Sequence, residues 1–311
     1  MKTIFFLAIL FLAATIIIQA EEVTVLVNDY TISGTLEIPK SDKPIDVALI
    51  IAGSGPTDRD GNNPLIPGKN NSLKMLADLL YENGIASLRY DKRGIGANDK
   101  VNESELTFDT YINDAVELVK YLKKDKRFSK IIIIGHSEGS LIGMITVERI
   151  DVNMFISICG AGQPAYSLIE EQLKNSNLPE ELLNNSLAIM DSLKLGITVK
   201  NVDPSLSMQF RPSIQSYMLS WFKYNPAKEI SKLTIPILII QGTTDIQVDV
   251  KDAELLSQAN KNSKLVVIEN MNHVLKEVTT LDKIKNYQSY SNSDLPLSET
   301  FSKTVINFIK Q

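Results

Sequence analysis

Cysteine is nearly absent from this chain of 311 residues, with Cys159 alone. One thiol cannot close an internal disulfide, and it excludes zinc sites built from two CxxC steps. Histidine is almost as scarce. Only His136 and His273 occur, so a multi-histidine metal centre is excluded too. There is no basic block: 32 Lys and Arg stand against 37 Asp and Glu, a net charge of −5. Phosphate recognition needs clustered cations, so nucleic acid is not an expected partner. With 15 Gly and 12 Pro the chain is not collagen-like, and at 44% hydrophobic residues it is too apolar to remain disordered. Repeats and low-complexity tracts are missing. What is left is a globular composition, long enough for one large domain with an insertion.

The one long hydrophobic run is N-terminal, MKTIFFLAILFLAATIIIQA. Lys2 precedes an apolar stretch over 4–18, and Ala20 precedes Glu21 and Glu22. This is the pattern of a secretory signal peptide over 1–20, cleaved after Ala20. An uncleaved anchor is the alternative, although the run is short of the ~20 residues that a spanning helix needs. No cysteine follows it, which excludes a lipoprotein anchor. The expected location is secreted or periplasmic, with no stable membrane insertion after cleavage and Cys159 as a buried thiol.

Along the rest of the chain, residues 23–38 alternate apolar and polar around Asn28-Asp29 and predict an antiparallel hairpin. Residues 46–52 (DVALIIA) are a continuous apolar run, as in a strand buried on both faces. Helical spacing over 72–82 stops at Asn83-Gly84. A strand over 85–90, a helix over 107–124, a strand over 130–135, a helix over 138–149 and a strand near 154–159 follow. After a gap come a strand over 235–241, a helix near 250–259, a strand near 264–268 and a helix near 298–310. Strands alternating with helices predict an α/β fold with a mostly parallel central sheet and helices on both faces. The gap, residues 163–230, has helical periodicity without buried-strand runs and predicts a helical cap inserted between core parts 21–162 and 231–311.

Gly135-His136-Ser137-Glu138-Gly139 matches G-x-S-x-G, with a buried strand before it and a helix after it. There a serine sits on a sharp strained turn at the carboxyl end of the sheet, at the positive end of the next helix. The flanking glycines avoid side-chain collisions across the turn. Ser137 is therefore the expected nucleophile. A serine needs a base, and the base an orienting acid. His136 adjoins Ser137 and cannot turn back onto its hydroxyl, which leaves His273. Asp245 leaves a buried strand in a tight polar turn and is the expected acid. Its rivals Asp249 and Asp252 fall at the start of the next helix. An oxyanion needs two N–H donors: Glu138, next to the nucleophile, and Ser54 in the loop Ala52-Gly53-Ser54-Gly55-Pro56, with Gly55 second. No phosphate-loop or dinucleotide fingerprint is complete.

On these segments the chain resembles bacterial α/β-hydrolases of the serine aminopeptidase (S33-like) and carboxylesterase superfamily. AGSGPTDRDGN (52–62), RYDKRGIG (89–96), GHSEG (135–139) and QGTTD (241–245), followed by His273, carry the resemblance. It implies the α/β-hydrolase fold and hydrolysis of a small-molecule ester without a cofactor. Asp58, Arg59, Asp60, Asp91 and Arg93 are expected to hold the loops by ion pairs, with substrate binding an alternative for Arg59. Trp221-Phe222 would line an acyl pocket or anchor the cap. A serine aminopeptidase or thioesterase on the same fold is the second reading, and a non-catalytic binding protein the third.

Overall fold

The fold is built on an eight-stranded sheet, seen in a computed structural model that describes residues 20–311. The expected signal segment lies outside the described residues but for Ala20. The strands are β1 (Ala20–Val27), β2 (Tyr30–Glu37), β3 (Ile45–Ile51), β4 (Ala86–Tyr90), β5 (Phe128–His136), β6 (Met154–Ile158), β7 (Ile237–Gly242) and β8 (Ser263–Ile268). Their order is β1-β2-β4-β3-β5-β6-β7-β8. β1 and β2 form the hairpin expected around Asn28-Asp29, and β2 joins β4 antiparallel. All pairs from β4 to β8 are parallel. β3, β7 and the second half of β5 are almost wholly buried because layers cover both faces, so they carry runs of Ile, Leu and Val without alternation.

The helices are α1 (Ser72–Glu82), α2 (Phe108–Lys124), α3 (Glu138–Arg149), α4 (Ala165–Lys174), α5 (Glu180–Lys194), α6 (Ser207–Phe210), α7 (Pro212–Trp221), α8 (Pro226–Ser231), α9 (Val250–Ala259), α10 (Lys283–Tyr287) and α11 (Glu299–Ile309). One face of the sheet packs on α2 and α3, with Phe108, Leu118 and Ile142 in that core. The other packs on α1 and α11 through Leu73, Leu76, Phe301 and Val305. Residues 163–230 hold helices only. α4, α5, α6 and α7 enclose a cluster of their own, with Leu173, Ile189, Leu193 and Phe210 buried in it. α8 behaves differently: it packs on α3 and α9, and Ile230 joins the core under the sheet.

α7 is fixed to α2 at several points. The Phe108 and Trp221 rings stack 5.7 Å apart at 8°. The Phe108 N–H donates to Ser220 Oγ at 2.7 Å, and Tyr224 Oη donates to Asp109 at 2.7 Å. A short 3-10 turn over residues 103–105 adds Glu103, which accepts from Arg211 and Ser213. The helical insertion therefore sits over the carboxyl ends of the parallel strands, where an open α/β sheet binds its ligand.

Candidate active site

β5 ends at His136 and α3 begins at Glu138, leaving Ser137 alone to turn the chain. Ser137 adopts φ 55° and ψ −121°, a strained region for a non-glycine residue. Its N–H is held by Ile158 O at 2.8 Å. The glycines make the turn possible in two ways. A Cβ on Gly135 would lie 2.3 Å from Gly139 O, across the turn as expected. A Cβ on Gly139 would instead lie 2.3 Å from Ile51 O, against the neighbouring strand β3. The turn leaves the Ser137 side chain half-buried at the floor of a cavity.

Asp245 follows β7 in the turn that opens toward the same edge, and His273 follows β8. The structure brings them together: His273 Nδ1 is 2.7 Å from Asp245 Oδ2. Asp245 accepts three further hydrogen bonds, from Gln241 Nε2 at 3.0 Å, Gln247 N at 2.8 Å and Val248 N at 3.0 Å. Burial alone would raise this carboxyl, but His273 and these donors outweigh it, and its pKa lies below the ordinary value. A carboxylate so held accepts only, so the proton between it and His273 resides on Nδ1, leaving Nε2 free for a second partner. Among the described residues no hydrogen bond joins the Ser137 hydroxyl to the imidazole, and such contacts often tighten only with substrate bound. The rivals have other work. Asp249 caps α9 through Lys251 N, and Asp252 accepts from the Gly162 and Gln163 N–H groups where the insertion begins.

The Ser54 loop lies beside the turn, and a Cβ on Gly53 would be 3.1 Å from Ser137 Cβ. The Ser54 and Gly55 N–H groups have no protein acceptor among the described residues. Glu138 holds the first position of α3, where the N–H lacks an intrahelical acceptor. The Glu138 carboxylate is turned away to Tyr217 Oη of α7, which donates to it.

A cavity of about 450 Å³ opens on Ser54, Ser137 and Glu138. The insertion supplies much of its wall, including Leu168, Phe210, Met218 and Trp221. Met208 joins them, whereas Met190 and Phe222 belong to the insertion's own cluster. Trp221 thus both lines the cavity and anchors α7 on Phe108.

The loop charges pair largely as expected. Arg59 meets Asp91 at 2.9 Å and Glu22 at 2.7 Å, Arg93 meets Asp114 at 2.7 Å, and Asp60 meets Arg89. Arg59 is absent from the cavity wall. Asp58 makes no ion pair among the described residues. It accepts the N–H groups of Asp60 and Asn62, and burial raises its pKa.

Three contributors escaped the sequence reading. Gln241 orients Asp245 from the end of β7. Asn286 in α10 donates to Thr244 O at 2.8 Å and accepts from Asn272 Nδ2 at 3.1 Å, joining the turns that carry Asp245 and His273. Lys92 reaches Gly53 O at 2.6 Å from the loop after β4. Asn286 and Lys92 act across separations that periodicity does not reveal, whereas Gln241 is four residues from Asp245; Gln241 and Lys92 both stand inside quoted segments, QGTTD and RYDKRGIG.

A profile of the family described as serine aminopeptidase, S33, matches residues 69–277. The esterase EstD of Thermotoga maritima is 33% identical over 266 residues, covering 82% of this chain. The chain spans 60% of that protein's length. Human monoglyceride lipase is 24% identical over 215 residues, covering 64% of this chain and 70% of that protein. Among solved structures, esterase Est1E of Butyrivibrio proteoclasticus with bound ferulic acid gives a TM-score of 0.64 at 20% identity, covering 93% of this chain and 100% of that one. An esterase of Pyrococcus furiosus gives 0.62 at 17%, covering 94% and 91%. At such identities the likeness is one of fold.

Proposed function

Because the chain belongs to the serine aminopeptidase (S33) family and has the α/β-hydrolase fold, we propose that it hydrolyses carboxylic esters through Ser137, His273 and Asp245. The observation that carries this reading is the Asp245–His273 hydrogen bond at the sheet edge where the strained Ser137 turn meets an apolar cavity. Ser137 Oγ attacks the acyl carbon as its proton passes to His273 Nε2. Asp245 holds the imidazole and stabilises the imidazolium. The carbonyl oxygen becomes an oxyanion held by the Ser54 and Glu138 N–H groups. The imidazolium then protonates the departing alkoxide. Water, deprotonated by the same histidine, releases the acid from the acyl-enzyme. No step needs a cofactor.

The cavity sets the substrate class. Its wall is mostly apolar, with glutamines such as Gln163, Gln172 and Gln247 among its polar side chains, and suits a short to medium acyl chain. Among the described residues no carboxylate of the insertion lines it. Glu170 pairs with Lys174, and Asp203 caps a 3-10 turn. One observation favours an aminopeptidase as second reading: a neighbouring cavity shares Leu168, Gln172, Gln247 and Val248 with the first and is lined by Glu171, Asp249 and Asp252. Glu171 there is engaged by Lys251.

The test has two arms. A fluorophosphonate should label wild-type protein at Ser137 alone, and Ser137→Ala should stay folded without turnover. Labelling elsewhere refutes the assigned nucleophile. An aminoacyl ester is then compared with the same ester lacking its amine. If removing the amine lowers kcat/KM by more than ~100-fold, about 2.7 kcal/mol of transition-state binding, the aminopeptidase reading replaces this one. The N-terminal run adds export to the proposal, tested by N-terminal sequencing of the exported protein, which should begin at Glu21.

A further inference from the structure

Lys92 is 2% exposed and takes no part in the steps above. Its Nζ donates to Gly53 O at 2.6 Å and lies 5.5 Å from the centre of the Tyr111 ring. The charge that acts on it is the Glu138 carboxylate. Burial pushes the Lys92 pKa down. An amine withdrawn from water for one carbonyl and one ring is a poor choice for stability, since an apolar chain of similar length packs in such a place at lower cost. Something other than stability accounts for it.

Gly53 O belongs to the peptide unit whose other end is the Ser54 N–H. Among the described residues no peptide bond is cis. In a planar trans unit the C=O and N–H point in opposite directions, so fixing one end fixes the other. Gly53 packs against Ser137, and the Ser54 N–H has no protein acceptor among the described residues. We propose that Lys92 is a positioning residue for acyl transfer: by holding Gly53 O it locks the Gly53–Ser54 peptide with its N–H turned toward the substrate oxygen on Ser137. This rests on the Ser54 reading above. Glu138 completes the arrangement. Its N–H is the second donor, its carboxylate acts on Lys92 through its charge, and Tyr217 of α7 donates to that carboxylate. Side chains thus couple the two donors to each other and to the insertion.

The test uses Lys92→Met and Lys92→Gln in the full chain, with a p-nitrophenyl ester, an aryl-free trifluoromethyl ketone and the matching carbinol. The ketone adds Ser137 Oγ to its carbonyl carbon, the hydroxyl proton passes to His273, and the carbonyl oxygen becomes an alkoxide in the oxyanion position. The carbinol carries a neutral hydroxyl in place of the carbonyl, so it forms neither the adduct nor the alkoxide. In both variants kcat should fall ~10- to 100-fold with KM within about threefold, less than or equal to the loss of a whole donor. The ketone's inhibition constant should rise by the same factor while carbinol affinity holds. Lys92→Met should keep or raise Tm, which a merely structural lysine would not allow. Unchanged kcat, or equal losses for ketone and carbinol, overturns the proposal. Should neither variant fold, the wild-type ketone adduct decides by crystallography: its oxygen must lie within hydrogen-bond reach of Ser54 N and Glu138 N with Lys92 on Gly53 O, and any other placement overturns it. A wild-type protein that neither turns over esters nor forms the Ser137 adduct refutes the esterase reading instead.

Discussion

The His136 and His273 rings lie 4.8 Å apart, yet their surroundings give them opposite tasks. His136 Nε2 is 2.8 Å from His273 O. A carbonyl only accepts, so Nε2 carries the proton, and the buried Nδ1 has no hydrogen-bond partner among the described residues. Burial, with His273 nearby, pushes the His136 pKa down to about 3. His136 therefore stays neutral and steadies the backbone of its neighbour, while His273 is the residue to which the proposed mechanism assigns the proton transfer. His273→Ala should abolish turnover, whereas His136→Ala should lower kcat by about tenfold, roughly 1.4 kcal/mol. The steady-state constants of the two folded variants check this, and a more damaging His136 change would reassign the base. The same residue links stability to pH. From the unfolded value of ~6.5 down to about 3, the unfolded chain binds a proton that the folded one refuses. Stability from this source is complete above pH ~6.5 and declines as pH falls through that window. Asp245, with its lowered pKa, adds a loss only below ~3.9. Urea titrations of His136→Gln should show a flatter slope of stability against pH between 4 and 6.5, and parallel slopes would exclude His136 as the source.

At the scale of elements, the 138–149 helix and the 72–82 helix were readable to the residue, because Gly-rich turns and Asn83-Gly84 punctuate them. α10 was not. Its exposed Ile284 and Tyr287 give no apolar stripe, and its purpose lies in one buried polar residue. Asn286→Ala would take the side-chain donor from the Thr244 carbonyl and one of the two acceptors from the Asn272 amide, which keeps Ser289 Oγ. The expected cost is about 2–3 kcal/mol of stability with a fall in kcat, read by urea denaturation and ester assay. Wild-type stability would show that the Asp245 and His273 turns do not depend on this tie. The elbow is less forgiving. Gly139→Ala puts a methyl 2.3 Å from Ile51 O, where two strands and a helix leave no room to yield. A loss of about 3 kcal/mol or failure to fold is expected, and soluble protein with unchanged Tm would contradict the close approach.

For the molecule as a whole, alternation of apolar strands with helices disclosed the sheet. G-x-S-x-G disclosed the strained Ser137 turn, and chain order disclosed the pairing of Asp245 with His273. The antiparallel edge, the sheet order and the tie between α7 and α2 depend on contacts far apart in sequence, and composition is blind to them. Cys159 illustrates what scarcity does tell. It ends up fully buried after β6, and burial raises its thiol pKa well above the ordinary value. Maleimide should leave native protein unmodified and label it in denaturant, as mass spectrometry would record. Rapid labelling of the folded protein would mean that the core beneath β6 and β7 opens readily.

Trp221 is the chain's sole tryptophan, and it sits in the wall of the Ser137 cavity with one face on Phe108. Nature has thereby installed an optical reporter at the place where chemistry is proposed. Excited at the red edge of its absorption, the protein emits from one indole only, so no background from elsewhere dilutes the signal. An acyl ligand entering the cavity replaces water at the open face of that ring, and the emission should shift to shorter wavelength as the ligand saturates. Real-time capture of the acyl-enzyme needs no label, only a spectrometer and a substrate that deacylates slowly.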